Sequence, residues 1–182
     1  MSATARRMIR LWLAVLLLPC LAPPAASAEY SPEAVKAAFL YRFAGYVQWP
    51  QSAPDVPFTI AVLDADDVAD ALAHIVATHT IAGHRAQVRK LKSTRELGDA
   101  QLLYIGPGHG YELRSLILPL AQQPILIVTD DDNGLAAGST LNFRQLERRI
   151  AFEASVTAAQ RAGLRISSDL LSVALHVEGV RP

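Results

Sequence analysis

Three short runs constrain this chain more than anything else in it: Phe58-Thr-Ile-Ala-Val-Leu63, Gln101-Leu-Leu-Tyr-Ile105 and Ile125-Leu-Ile-Val-Thr129. Each is too brief for an independent helix and is apolar almost throughout, not at every second position. A strand with one wet face alternates polar and apolar residues, so an unbroken apolar strand must be covered on both sides. The intervening stretches supply the covers. Asp64 to Asp67 reads as a loop capping a helix to about Thr78, and a second helix runs from Tyr111 to about Ala121. Gly83 marks a turn, Gln87 to Leu91 a further strand, and Thr94 to Leu97 a helical turn. Strands alternating with helices predict an α/β domain whose mixed, mostly parallel sheet carries helices on both faces.

Late in the chain the rhythm changes. Ser139 to Phe143 and Arg148 to Phe152 follow one another closely, as the strands of an antiparallel hairpin turning near Gln145. Ser155 to Ala162 reads as a helix ended by Gly163, which suits a left-handed cap, and Ser167 or Ser168 caps a last helix through Leu175. At the other end, Ser31 is the N-cap of a first helix, Pro32 suits its first turn and Glu33 complements its positive end. Val35, Ala38, Phe39, Phe43, Tyr46 and Val47 continue at helical spacing, with Pro50 expected to stop the helix after Trp49. Gln51 to Pro57 is read as a loop.

Residues 1–28 stand apart from this pattern. Arg6, Arg7 and Arg10 precede the apolar run Leu11 to Leu18, and Ala26-Ser27-Ala28 offers the small residues of a signal-peptidase site. An uncleaved anchor would need a helix of ~20 apolar residues, which Pro19, Pro23 and Pro24 interrupt. Cys20 follows a leucine run, as a lipidation cysteine would, but Pro19 before it is a poor fit. The expectation is a cleaved signal peptide over 1–28, a periplasmic domain over 29–182, and no membrane insertion after cleavage. Cleavage removes the only cysteine, so packing alone must hold the domain, although the periplasm permits disulfides. It also removes three arginines and no acid, turning a formal net charge of zero mildly acidic. Such a chain is not built to bind nucleic acid by counterion release.

A search for chemistry finds little. Gly106-Pro-Gly-His-Gly110 sits where a phosphate loop would, but its spacing fits neither the dinucleotide fingerprint nor the P-loop, and Pro107 removes a donor. Asp130-Asp-Asp-Asn-Gly134 resembles the start of a calcium loop with its glycine one residue early and Leu141 in the twelfth place, so it reads as a solvated loop. His74, His79 and His84 recur every five residues, a step that turns each side chain about 140° from the last on a helix. There is no G-x-S-x-G elbow and no paired carboxylates. The expectation is a protein without catalytic residues, metal or cofactor. Aromatic residues crowd the first helix (Phe39, Tyr41, Phe43, Tyr46, Trp49) on more than one face, and arginines flank the late hairpin and helices. Both residue types are enriched where proteins bind one another.

The run Val35-Lys-Ala-Ala-Phe-Leu-Tyr-Arg-Phe-Ala-Gly-Tyr-Val-Gln-Trp-Pro50 resembles the opening signature of the YfiR/HmsC-like periplasmic proteins. Ile125 to Asp130 with Gly138 to Phe143 resembles that family's strand, glycine turn and next strand. Arg149-Ile-Ala-Phe-Glu153, Ala162 to Ser168 and Leu170-Leu171 resemble its closing signature. Ala154-Ser155 departs from the isoleucine-asparagine pair often found there, and the disulfides of some members are impossible in 29–182. The resemblance implies a repressor that binds the periplasmic domain of an inner-membrane diguanylate cyclase and so lowers cyclic di-GMP and biofilm output. It further implies a homodimer that an outer-membrane OmpA-like lipoprotein can sequester. The expected partner-contact residues are Tyr41, Tyr46 and Trp49 of the first helix, with Glu153, Arg161, Arg165 and Ser167 of the closing signature. A periplasmic small-molecule sensor feeding a histidine kinase or transporter is the competing reading.

Overall fold

In the computed structural model, which describes residues 31–49, 56–147 and 149–179, the three apolar runs are the centre of one sheet. Every residue of Phe58–Leu63, Leu102–Ile105 and Leu126–Thr129 is buried. Their side chains alternate between two cores. Ile60, Val62, Leu102, Tyr104, Leu126 and Val128 point into one, while Ala61, Leu63, Leu103, Ile105 and Ile127 point into the other. Period-two alternation thus divides an uninterrupted apolar sequence between two helix layers.

The strands are β1 (Val47–Gln48), β2 (Phe58–Leu63), β3 (Thr80–Ile81), β4 (His84–Leu91), β5 (Leu102–Ile105), β6 (Leu126–Thr129), β7 (Leu141–Leu146), β8 (Arg149–Ser155), β9 (Arg165–Ile166) and β10 (His176–Glu178). The helices are α1 (Pro32–Gly45), α2 (Asp66–Val76), α3 (Leu113–Ile117), α4 (Gly134–Ala137), α5 (Val156–Arg161) and α6 (Ser168–Ser172). Eight strands form one sheet in the order β10-β8-β7-β6-β5-β2-β4-β3. The five from β4 to β7 are parallel, and antiparallel pairs β7–β8 and β3–β4 flank them. The α/β architecture, with its mostly parallel sheet and late hairpin, is the one the sequence predicts. α1, α2, α5 and α6 contribute to the first core, and α3 with the 3₁₀ turn that follows it to the second.

The differences lie at element ends. α1 stops at Gly45, where the Tyr46 N–H donates to the Arg42 and Phe43 carbonyls. It stops short of Pro50 because the backbone of Val47 and Gln48 is already paired with Ile166 and Arg165. Its buried face is Ala37, Leu40, Phe43 and Ala44, and Ala38 is exposed. The expected helix 111–121 is a short α-helix between two 3₁₀ turns, since Pro119 has no N–H to continue the ladder. β7 extends to Leu146, so the hairpin turns beyond Gln145, at Glu147 with φ 47°. Gly134 begins a four-residue helix in place of an open loop. The signal peptide over 1–28, Pro50, the loop over 51–55 and Arg148 lie outside the described residues.

Candidate partner-binding surface

At the amino ends of the parallel strands, the beginning and the end of the chain meet. β1 pairs antiparallel with β9, placing Val47 opposite Ile166 and Gln48 opposite Arg165. The Ser167 N–H donates to the Tyr46 carbonyl at 3.0 Å, and the Ser167 hydroxyl accepts from the Leu170 N–H at 3.2 Å as the cap of α6. Gly163, at φ 71°, turns α5 into this ribbon as the expected left-handed cap. Trp49 lies beyond the helix to which it was assigned. Its Nε1 donates to the Ala44 carbonyl at 3.1 Å, and its ring meets Phe58 edge-on at 5.1 Å. Four of the seven expected contact residues (Tyr46, Trp49, Arg165, Ser167) therefore share one small structure. In it, Trp49 and Ser167 hold the fold with their polar atoms, whereas Tyr46 and Arg165 are exposed.

α6 leads from the ribbon to two exposed apolar side chains. Val173 is 68% exposed and Leu175 47%. A cavity of about 420 Å³ opens between α5, β9 and α6, lined by Val156, Leu164, Ile166 and Leu171 with Gln160 and Arg165. Arg161 is also exposed, and among the described residues neither it nor Arg165 pairs with an acid. Exposed apolar side chains beside unpaired guanidinium groups suit a protein contact, because a guanidinium is weakly hydrated and exchanges its water readily for an incoming acceptor.

Tyr41 lies elsewhere along α1. Its hydroxyl donates to the Thr80 carbonyl at 3.3 Å, and its ring stands edge-on to His79. The other α1 aromatics go inward: Phe39 and Phe43 cluster with Phe143 and Phe152 at centroid separations of 4.9 to 6.0 Å.

Glu153 is not part of this surface. It faces Asn142 across the β7–β8 pair and belongs to a polar network at the carboxyl ends of the strands. There the Lys36 ammonium contacts the Asp130 carboxylate at 2.5 Å, both largely buried. The Tyr104 hydroxyl donates to Asp130 at 3.3 Å. Burial, then the Asp130 charge, pushes the Tyr104 phenol above its ordinary range. The Thr129 hydroxyl donates to Asn142 Oδ1 at 2.8 Å, Asn142 reaches Glu153 at 3.5 Å, and Arg144 lies 3.8 Å from Glu153 and 3.3 Å from Asp132. Gly134 roofs the network so closely that a Cβ there would lie 2.2 Å from Asn142 Oδ1. The acidic run 130–134 is thus built into the structure in part, with Asp131 also accepting from the Gly110 N–H. Lys36, Thr129 and Asn142 fall within the runs that resemble the family, but nothing in their spacing marks them as members of one network.

The same end holds the fold's switch point, where the connections after β2 and β5 leave for opposite faces of the sheet and ligands of such sheets usually bind. Here Asp64, at φ 53°, and His109 approach to 3.2 Å across it, without the alignment of a hydrogen bond. The Gly106 N–H donates to the Leu63 carbonyl, and a side chain at Gly106 would strike Asp64. Among the described residues, no group of three or more His, Cys, Asp or Glu is placed to hold a metal.

A sequence profile of the YfiR/HmsC-like proteins matches residues 33–175, α1 through Leu175. The chain belongs to the YfiR/HmsC-like family. That family is periplasmic and regulatory rather than catalytic, and among the described residues no helix is long and apolar enough to cross a membrane. No curated protein sequence matches significantly. Two solved structures share the fold. A conserved domain protein from Vibrio cholerae superimposes with a TM-score of 0.57 at 10% identity, over 81% of this chain and 60% of that one. The ABC domain in complex with L-Trp from Streptococcus pneumonia gives 0.51 at 12% identity, over 78% and 60%. The chain thus spans about 60% of the length of either structure.

Proposed function

We propose that this protein is a periplasmic repressor, exported by its N-terminal signal, that binds the periplasmic domain of an inner-membrane diguanylate cyclase and holds it inactive. The family match over 33–175 carries the reading. The apolar surface at β9 and α6, with Arg161 and Arg165 exposed and unpaired beside it, supports a protein contact there. Repression of this kind needs no reacting group. A ligand that prefers the off state of a cyclase shifts its equilibrium by the difference in affinity alone. The proposed assembly is a homodimer, with an outer-membrane OmpA-like lipoprotein as the competing partner that relieves repression.

The test is cellular cyclic di-GMP in a clean deletion, with and without complementation by the secreted protein. The expected outcome is a rise that complementation reverses. An unchanged level, under conditions where the gene is expressed, overturns the reading.

A further inference from the structure

α1 and α2 lie side by side over the sheet, and the furrow between them is unfilled. One cavity of about 590 Å³ is lined by Ala34, Ala38 and Arg42 of α1 and by Ala71, His74 and Ile75 of α2. A second, of about 500 Å³, shares Ala38, Arg42 and Ile75 with it and continues past Tyr41 and Tyr46 to Ile81. Together they form one groove along α1 from Ala34 to Tyr46, roughly 18 Å at ~1.5 Å per residue. Alanines make much of its floor, so a third helix could approach both backbones as closely as α1 and α2 approach each other.

Its charge is one-sided. No acidic side chain lines either cavity. Arg42 is exposed and pairs with no acid among the described residues. Asp70, one turn from His74 on α2, is held away by Lys90 at 2.8 Å. An apolar furrow with an unanswered guanidinium on its wall and no carboxylate calls for an occupant that brings both apolar side chains and an acid.

We infer that the α1–α2 groove docks an amphipathic helix of a partner protein, apolar on its inward face and carrying a carboxylate that reaches Arg42. This contact uses α1 and α2, not the β9–α6 surface, which it meets at Tyr46. It rests on the proposed function only in that the protein acts by binding.

The experiment places the photo-crosslinker benzoylphenylalanine at Tyr41, on the groove's rim, in the complete secreted protein expressed in its native cell. Adducts are mapped by mass spectrometry. The expected adduct is to a helix-forming, acidic, amphipathic segment of another protein. Its yield should fall at least tenfold in Ala38→Trp, which fills the exposed floor, and in Arg42→Glu. The mapped segment, made as a peptide, should bind the purified protein and lose at least tenfold affinity when its acids become lysines. Melting temperatures of both variants should stay within ~2 °C of the parent, as surface changes do. An adduct to a second copy of this chain or to a basic segment overturns the inference. So does the absence of any adduct, or a small molecule that occupies the groove and raises the melting temperature. Because contact is the readout, an unchanged cyclic di-GMP level in the deletion would sink the repressor reading without touching this result.

Discussion

The two ends of the sheet solve the problem of polar and aromatic groups in opposite ways. At the carboxyl ends, charges pair within the chain: Lys36 meets Asp130, Tyr104 leans on the same carboxylate, and Arg144 bridges Asp132 and Glu153. At the switch point, the usual opening of such folds, Asp64 and His109 stand 3.2 Å apart without a hydrogen bond. At the amino ends, the β1–β9 ribbon pairs its backbone and leaves Tyr46, Arg161 and Arg165 facing outward. A group satisfied at home contributes to stability and has little left to offer a partner. A group left unsatisfied costs little in the free protein because water serves it, and that water can be displaced. The contrast separates residues that hold this protein together from residues available for recognition.

The sharpest way to break the contrast is Asp130→Ala. It strands a Lys36 that is 14% exposed, and removing one member of a nearly buried pair should cost about 3 kcal/mol in urea unfolding. A loss under ~1 kcal/mol would mean that water already serves this network. Gly134→Ala comes next, at about 2 kcal/mol, because its new methyl group collides with the Asn142 and Thr129 side chains and the network must shift to admit it. Trp49→Phe keeps the edge-on packing on Phe58 but removes the donor to the Ala44 carbonyl, for about 1 kcal/mol. Arg165→Glu, on the outward-facing end, should change stability by less than about 0.5 kcal/mol while weakening partner binding at least tenfold. A folding defect there instead would erase the distinction between the two ends.

The carboxyl-end network also has a pH signature. Burial and the Asp130 charge raise the Tyr104 pKa above its ordinary value of 10. Below that value the phenol is neutral in both the folded and unfolded chains, and its contribution is fully present. Above it the unfolded chain ionises first and binds fewer protons, so stability should fall as pH climbs beyond about 10. Thermal melts should show a shallower alkaline decline in Tyr104→Phe than in the parent. Equal slopes would mean that Tyr104 ionises freely in the folded protein.

Much of the architecture was legible because physics repeats it along the chain. Phe58–Leu63 is apolar at every position but Thr59, and a strand covered on both faces satisfies it. Ser31 caps the helix it is expected to cap, Ser167 and not Ser168 caps the last, and Ser155, read as the first residue of its helix, is that helix's cap, since a hydroxyl before an apolar helix has few better uses. The ribbon was not legible. Two-residue strands have no period to detect, and Val47 reads equally well as the next apolar helical position. Only its distant partner Ile166 decides the matter. β3 and β10 escaped for the same reason of length. The closing signature sets Glu153 beside Arg161 and Arg165, yet β8 carries its side chain to Asn142 and Arg144. Lys36 and Asp130 gave no sign of each other, because charge pairs between remote segments leave no spacing to read.

The ribbon also sets an order of assembly. Ribosome and export channel alike release a chain from its first residue onward, so α1 emerges early while the segment that pairs with Val47 and Gln48 emerges among the last. Closing so long a loop is entropically costly and slow relative to the local steps that build each helix. The first helix can bury its apolar face on α2 and on Phe143 and Phe152 before then, but Val47 and Gln48 must wait until Arg165 and Ile166 arrive. A chain truncated before those residues would leave β1 without a strand to pair with.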